Sequence, residues 1–250
     1  MPRLDILIAK NLGISRARVT RLLRAGLVHD PDGARLDDGR RQIAPSALPI
    51  DVDVAGERHR LHHRVELLQH KPVGMVTALS DARHRTAFDL LEGAPLRSEL
   101  RAVGRLDLDT SGLLLWTTDG VLLHRLTHPR WAVPRRYHAA LAGPWRSPAP
   151  DFALADGHRP NITELAALDR DAVHPGLVVL PEATHFATIE ITSGRFHEVR
   201  RIFAELGTLV IGLCRVQYGS IELPRELAAG AHVEIDLRAH FRGMAPIDDA

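Results

Sequence analysis

Two carboxylates and an arginine stand close together in the stretch VGRLDLDTSGLLLWTTDG, residues 103–120. One leucine separates Asp107 from Asp109, and Arg105 lies two residues before the first of them. Paired carboxylates are typical of glycosidase-type acid–base catalysis or of hydrolytic metal sites, but both need partners that this spacing alone does not supply. An arginine beside a carboxylate keeps it charged and oriented, as a nucleophile or a base requires. The alternative is a turn in which Asp109 or Thr110 caps local amides.

Other charged and aromatic residues could join this stretch in one site. Arg195, Arg200 and Arg201 lie at the start of a predicted helix, where positive charge opposes the helix dipole. We therefore expect these arginines to meet an anion, either a carboxylate or a phosphate. Tyr137 follows two arginines in a predicted strand and is either a base-stacking residue or an ordinary core aromatic. Lys71, in HKPVG, marks a stiff bend at a strand end.

The chain after residue 64 shows the pattern of an α+β fold, because long strand-to-strand connections outnumber βαβ units. A helix in RFHEVRRIFAELG is expected to turn Phe196, Val199 and Ile202 inward and to end at Gly207. The strand in HFATIEITSG alternates as a half-buried strand does. Further strands are predicted in VELLQHKP, GLLLWTTDG, RRYHAALAG and LVIGLCRVQYG. One further helix is predicted in LLHRLTHP.

The N-terminal 28 residues are basic, with six Lys or Arg against the single acid Asp5. Helical spacing predicts one helix that stops at Gly13 and a second that begins after Ser15 and ends at Gly26. The arginines of the second helix lie mostly off its apolar face and would form a phosphate-binding surface. Alternatively, these arginines form an ordinary solvated helix face, or their number reflects a genome composition that favours arginine codons. These arginines are Arg16, Arg18, Arg21 and Arg24.

Composition and length narrow the protein class. The chain has 250 residues, of which 45% are hydrophobic and 25% charged, as in globular proteins without a membrane span. The N-terminal stretch lacks the apolar core of a signal peptide, and the single Cys214 cannot form an internal disulfide, which fits a reducing cytoplasm. Residues 56–64, GERHRLHHR, read as a solvated boundary segment rather than a histidine metal site, because no second ligand cluster accompanies them.

The quoted motifs resemble those of RsuA-type pseudouridine synthases, which modify ribosomal RNA. The segment of residues 3–28 resembles the alpha-L RNA-binding module that precedes the catalytic domain in that family. Two departures are Glu198 and Ile202, where the family commonly has Gln and Met. The matching motifs are GRLDLDTSGLLLWTTDG (104–120), KPVG (71–74), RRYHAAL (135–141) and GRFHEVRRIFAELG (194–207).

The resemblance implies an α+β fold with two domains. A small alpha-L RNA-binding domain would cover residues 1–58, followed by a linker at 59–64. A pseudouridine synthase catalytic domain would cover 65–238, with a mixed, mainly antiparallel sheet flanked by helices. Residues 239–250 would form a tail.

The resemblance also implies roles for the residues already singled out. Asp107 would be the catalytic aspartate, with Arg200 paired to it, and Tyr137 would pack against a flipped uracil. Arg105 would displace the target base, and Asp109 would support the loop geometry. Leu213 would exclude water. Further RNA contacts are implied for Lys71, Arg195 and Arg201 and for Arg16, Arg18, Arg21 and Arg24.

The function so implied is isomerisation of a uridine in ribosomal RNA to pseudouridine, with the 16S molecule favoured over 23S. The aspartate would act by a covalent ester or a glycal route, and the residues do not decide between them. No cofactor and no metal are expected; the partner would be ribosomal RNA or an assembly intermediate, with no membrane, and the protein a cytoplasmic monomer. The competing hypotheses are a non-catalytic RNA-binding ribosome-assembly protein and a small-molecule hydrolase that uses Asp107 and Asp109.

Overall fold

The computed structural model describes residues 1–242, which form two compact units. The N-terminal unit comprises Met1–Val65 together with Gly93–Leu100, and the C-terminal unit comprises Glu66–Glu92 and the chain from Arg101 onward. Residues 93–100 therefore belong with the N-terminal unit, although the sequence places them inside the predicted catalytic domain. None of the helices in the described part has the length and apolar character needed to cross a bilayer.

The N-terminal unit packs two short helices on a small antiparallel sheet, and local signals define the helix ends. Gly13 ends the first helix at φ 63°, and the Ser15 hydroxyl accepts a hydrogen bond from the Arg18 amide at the start of the second. Both predicted caps are confirmed. In chain order the elements are α1 (Leu4–Leu12), α2 (Arg16–Arg24), β1 (Val28–His29), β2 (Ile50–Val54) and β3 (Glu57–Leu61), and the sheet order is β1-β2-β3.

The linker predicted at residues 59–64 is wrong at its start, because β3 runs through His59 to Leu61. This strand pairs along its whole length with β2, and Leu61 is fully buried. Its polar, basic sequence reflects an edge strand with one solvated face. The pairing depends on β2, which cannot be read from the composition of residues 56–64.

The C-terminal unit is built on a nine-stranded mixed sheet within the described chain, and the predicted α+β class is confirmed. The sheet runs β12-β4-β6-β10-β7-β9-β8, with β5 on β6 and β11 on β10; β6 and β10 pair in parallel and the other pairs are antiparallel. The strands are β4 (Glu66–Lys71), β5 (Arg101–Val103), β6 (Thr110–Thr117), β7 (Arg135–Leu141), β8 (Ile162–Ala167), β9 (His185–Ile191), β10 (Val210–Tyr218), β11 (Ile221–Glu222) and β12 (His232–Glu234).

The centre of this sheet is buried on both faces. Every residue of β4 and β6 is buried, and Trp116 donates its indole hydrogen to the Gln69 side chain at 2.9 Å, so the polar atoms inside are paired. Strand β9 is also buried at five of its seven positions, so the half-buried reading was wrong. Strands β7 and β8 pair with its two edges, and Phe186 packs into the hydrophobic core of the unit.

In the described part of the unit the α-helices are α3 (Gly120–Thr127), α4 (Glu198–Glu205) and α5 (Leu237–His240). Asp119 caps α3 by accepting hydrogen bonds from two backbone amides, and the same carboxylate pairs with Arg238. Leu237 and Phe241 are buried. The tail predicted from residue 239 therefore starts too early, since the chain is packed through Phe241; residues 243–250 lie outside the described part.

Candidate active site

The turn that carries Asp107 joins β5 to β6 and is held through its carbonyl oxygens. It starts at Gly104, whose φ of 73° favours glycine. Each carbonyl from residue 105 to residue 110 accepts a hydrogen bond from a group outside the turn, so the backbone that carries the carboxylate is fixed along its length. The donors, in the order of the six carbonyls, are Arg215, Thr77, Lys71, the Gly74 amide, Arg200 and again Lys71.

Lys71 supports this turn from below and does not face solvent. It is fully buried, and its Nζ donates to the carbonyls of Pro72, Asp107 and Thr110 at 3.0, 3.0 and 2.7 Å. Burial lowers the pKa of Lys71 to about 8, against the attraction of Asp107 and Asp109, which raises it. The expected RNA contact of Lys71 is wrong, because the charge is used on backbone carbonyls.

Arg215 is a second buried cation under the same turn. It is 1% exposed, and its guanidinium donates to the carbonyls of Leu113, at 2.8 Å, and Arg105, at 3.4 Å. Strand pairing aligns Lys71, Gly112, Arg215 and Tyr137 on four neighbouring strands. Gly112 is needed there: its φ is 111°, and a Cβ would lie 2.3 Å from the carbonyl oxygen of Arg215.

Above this row lies a cavity of about 380 Å³, which is in the usual size range of small-ligand sites. Asp107 opens into it with 31% of its side chain exposed, and Tyr137, 8% exposed, forms part of the wall. The cavity therefore brings the predicted aspartate, tyrosine and arginines together. Its lining includes the cations Arg105, Arg135, Arg195, Arg200 and Arg215 and the apolar residues Leu106, Ile191, Val199 and Leu213.

The predicted ion pair between Arg200 and Asp107 is wrong. Arg200 pairs instead with the Asp109 carboxylate at 2.9 Å and donates to the carbonyls of Asp109 and Val210. The side chain beside the Asp107 carboxylate is that of His197, whose Nε2 lies 3.5 Å from Oδ1. Arg200 therefore contacts the turn two residues beyond the carboxylate that the sequence suggested.

The start of α4 also differs from the expectation. The helix begins at Glu198, because His197 adopts a left-handed φ of 50°, and Phe196 is 75% exposed rather than turned inward. Glu198 is buried: one carboxylate oxygen accepts from the Arg195 amide and the other contacts His158 at 2.6 Å. This acid, at a position where the resemblance led us to expect Gln, is thus occupied within the protein.

Arg195 and Arg201 have different surroundings. Arg195 is exposed and lines the cavity, whereas Arg201 pairs with Asp156 at 2.8 Å and is not among the lining residues. The arginines of α2 belong to the N-terminal unit and are exposed; of these, Arg16 pairs with the buried Asp5.

Sequence reasoning missed three residues of this site. Arg215 had a usable signal, because a charged residue inside the apolar run LVIGLCRVQYG needs a buried partner. His197 and Phe196 had none, since helical periodicity assigned them to α4. Their position follows from the backbone turn at residue 197, which only the folded chain shows.

The arrangement suits a reaction on a planar, uncharged group attached to a polyanion. A carboxylate on a rigid turn faces a cavity with an aromatic wall and apolar sides, which can hold a flat ring away from water. Several arginines at the same cavity favour phosphate groups. Nothing in this geometry requires both Asp107 and Asp109 to contact one ligand, because Asp109 is paired with Arg200.

The comparisons with known proteins agree with this geometry. A model of the RNA pseudouridylate synthase family matches residues 66–205. The chain is 34% identical, over 92% of its length and 93% of the relative, to the ribosomal small subunit pseudouridine synthase A of Yersinia pestis. It is 32% identical to the Escherichia coli K12 protein of that name, over 92% of the chain and 94% of the relative. A crystal structure of a pseudouridylate synthase superposes with a TM-score of 0.56 at 27% identity, covering 96% of this chain and 98% of the other. The chain belongs to the RNA pseudouridylate synthase family.

Proposed function

We propose that this enzyme converts a uridine of small-subunit ribosomal RNA to pseudouridine, with Asp107 as the catalytic residue. The observation that carries the proposal is the position of Asp107: its carboxylate opens into a cavity that Tyr137 also lines, on a turn whose carbonyls are all bound. The small-subunit target is taken from relatives that share 32–34% identity along nearly the whole chain.

The reaction detaches uracil from C1′ of the ribose, rotates the base and rejoins it through C5. It needs a group that attacks the sugar or removes a sugar proton, and the Asp107 carboxylate can do either. The released base must stay in place until it reacts again. Tyr137 and Leu213, which both line the cavity, would hold it and keep water out.

The uridine must leave its stack before it can reach Asp107, at a cost of a few kcal/mol. Arg105 is exposed at the cavity and would fill the space that the base vacates, while Arg195 would meet a phosphate. Arg200 would act mainly through the turn, because its guanidinium is bound to Asp109. Arg201, paired with Asp156, would contribute less than its neighbours.

The exposed arginines of α2 support an RNA-binding role for the N-terminal unit. Arg18, Arg21 and Arg24 project from a helix with no acidic residue in its first turn, which gives a surface suited to phosphates. We include Arg16 in this surface, with part of its charge used by Asp5.

The proposal places the enzyme in the cytoplasm as a monomer. The only cysteine, Cys214, is buried, and burial raises the pKa of its thiol to about 12, so it would not form an intermolecular disulfide. Sedimentation of the purified chain tests the monomer directly: a dimer at micromolar concentration would refute it.

Tritium release from small-subunit ribosomal RNA labelled at C5 of uridine tests the reaction, since forming the new bond expels that hydrogen. Wild-type enzyme should release one equivalent per RNA, and Asp107→Asn should release none while binding RNA within a few-fold. Tritium release from large-subunit RNA alone would show that the target uridine lies in that RNA. Tritium release from neither RNA would favour a non-catalytic assembly protein. Activity on free nucleosides would favour the hydrolase hypothesis.

A further inference from the structure

Phe196 is a solvent-exposed aromatic side chain at the edge of the active-site cavity. It is 75% exposed, the highest value among the exposed large hydrophobic residues of the described chain, and it lines the cavity with Asp107. A phenylalanine in this position forgoes the stabilisation that burial of its ring would provide. Within residues 1–242, most of the ring is left uncovered.

The ring is nevertheless held in one orientation. It stacks on His197 with ring centres 3.8 Å apart and planes 17° from parallel, and His197 is itself 3.5 Å from the Asp107 carboxylate. One face of Phe196 is therefore covered by the histidine, and the exposure of the residue leaves the opposite face open. The strained φ of 50° at His197 is what turns both rings toward the cavity instead of into α4.

The neighbouring charge indicates what the open face receives. Arg105 and Arg195 are exposed and line the same cavity, so a polyanion is attracted to this edge. Nucleobases stack on exposed aromatic rings with little dependence on sequence, and each stacked base strengthens binding by roughly 5- to 100-fold. Exposed arginines beside the ring favour a phosphate-bearing ligand over a partner that offers only an apolar pocket.

We propose that Phe196, backed by His197, is the stacking platform for the base of a nucleotide next to the target uridine. This inference rests on the proposed function. Tyr137 lies in the cavity wall, is 8% exposed and receives the target base. Phe196 lies at the edge of the cavity, where the RNA strand that leaves the cavity must pass. The platform fixes the flanking nucleotide and so selects RNA whose neighbouring base is unpaired.

Steady-state tritium release with four variants tests the platform. Phe196→Ala should raise KM for RNA roughly 5- to 100-fold with kcat within twofold, because stacking outside the cavity contributes to binding and not to the chemical step. Phe196→Tyr should restore KM, and Phe196→Leu, which is apolar but cannot stack, should not. Val121→Ala is the control, since Val121 is 56% exposed on α3 and does not line the cavity.

An unchanged KM for Phe196→Ala, or full activity of Phe196→Leu, would overturn the platform. So would a loss confined to kcat, which would place the ring in the chemical step.

A binding measurement separates this proposal from the reaction itself. An RNA strand carrying 2-aminopurine should lose fluorescence on binding wild-type enzyme and Phe196→Tyr, and keep it on binding Phe196→Ala at saturation. If wild-type enzyme quenches the probe but releases no tritium, the platform stands and the proposed reaction fails. If tritium is released but no probe position along the strand is quenched, the platform fails and the reaction stands.

Discussion

The buried ammonium group of Lys71 donates a hydrogen bond of 3.0 Å to the carbonyl oxygen of Asp107. The residue that presents its carboxylate to the cavity is thus held from behind by a lysine that solvent does not reach. Arg215 does the same for Arg105, two residues earlier. The turn is held by donors bound to its backbone carbonyls, most of them cationic, rather than by contacts of the Asp107 carboxylate.

Removing the Lys71 ammonium should destabilise the C-terminal unit and lower the reaction rate. Lys71→Met leaves the carbonyls of Asp107 and Thr110 without a charged donor, at a cost of about 2–4 kcal/mol in the free energy of unfolding, with kcat reduced at least tenfold. Urea unfolding and single-turnover kinetics measure both. Lys10→Met is the matched control: the only other lysine is 49% exposed in an ion pair with Glu99 and should contribute at most about 1 kcal/mol. Equal effects of the two variants would show that the Lys71 ammonium does not hold the turn.

The two aspartates of the turn should respond differently to the same substitution. Asp107→Asn should lower kcat by at least a thousandfold, whereas Asp109→Asn should lower it less than tenfold, because the Asp109 carbonyl still accepts from Arg200. Burst experiments with excess RNA distinguish the two. A thousandfold loss in Asp109→Asn would show that the ion pair with Arg200, and not the backbone contact, positions the turn.

Gly112→Ala should unfold the C-terminal unit or lower its free energy of unfolding by at least about 3 kcal/mol. A Cβ there would lie 2.3 Å from the Arg215 carbonyl oxygen, at a φ of 111° that other residues avoid. Gly143→Ala is the control, since its Cβ would meet only the Thr208 hydroxyl at 3.8 Å. Thermal unfolding of both variants tests this prediction. A Gly112→Ala midpoint within two degrees of wild type would mean that β6 and β10 can move apart without a loss of stability.

The free energy of unfolding should decrease as the pH is lowered, because His138 titrates differently in the folded and unfolded chains. Burial first, then His174, Arg136 and Arg225, lower the pKa of His138 from 6.5 to about 4. Between pH 6.5 and pH 4 the unfolded chain binds a proton at this residue and the folded chain does not, so the free energy of unfolding decreases as pH falls, by less than about 3 kcal/mol because solvent screens this partly exposed ring.

His138→Asn keeps an acceptor for the His174 amide, which now donates to Nδ1 at 3.0 Å, and removes the titration. Urea midpoints at pH 7, 6, 5 and 4.5 should fall less steeply for this variant than for wild type. Parallel curves would show that other groups carry the acid sensitivity.

The α2 surface should govern the salt dependence of RNA binding. Replacing Arg18, Arg21 and Arg24 by Gln should weaken binding and reduce the slope of log affinity against log salt by about 2–3, since each lost phosphate contact removes roughly 0.7–0.9. Titrations between 50 and 300 mM salt measure the slope. The control replaces three other exposed arginines of the same unit, Arg40, Arg58 and Arg60. If both triple variants change the slope equally, binding depends on net charge and not on α2.

Local features of the chain were predictable because they depend on neighbours in sequence. The caps at Gly13 and Ser15, the strands β4, β6, β7 and β10 and the helix before Pro129 follow from periodicity and from residues that start or stop elements. The motif residues around Asp107 also identified the family before any coordinates. In these cases residues close in sequence are enough to favour the observed conformation.

Contacts between distant segments were decided only by the tertiary structure. Arg200 reaches Asp109 and not Asp107, because the parallel pairing of β6 and β10 sets where α4 lies along the turn. Lys71 is buried because the turn of residues 107–110 folds over its ammonium group, and residues 57–61 form a strand because β2 pairs with them. Phe196 faces solvent because the backbone reverses at His197. A sequence specifies which side chains are available, but the free energy of a contact depends on which partner the fold brings within a few ångströms.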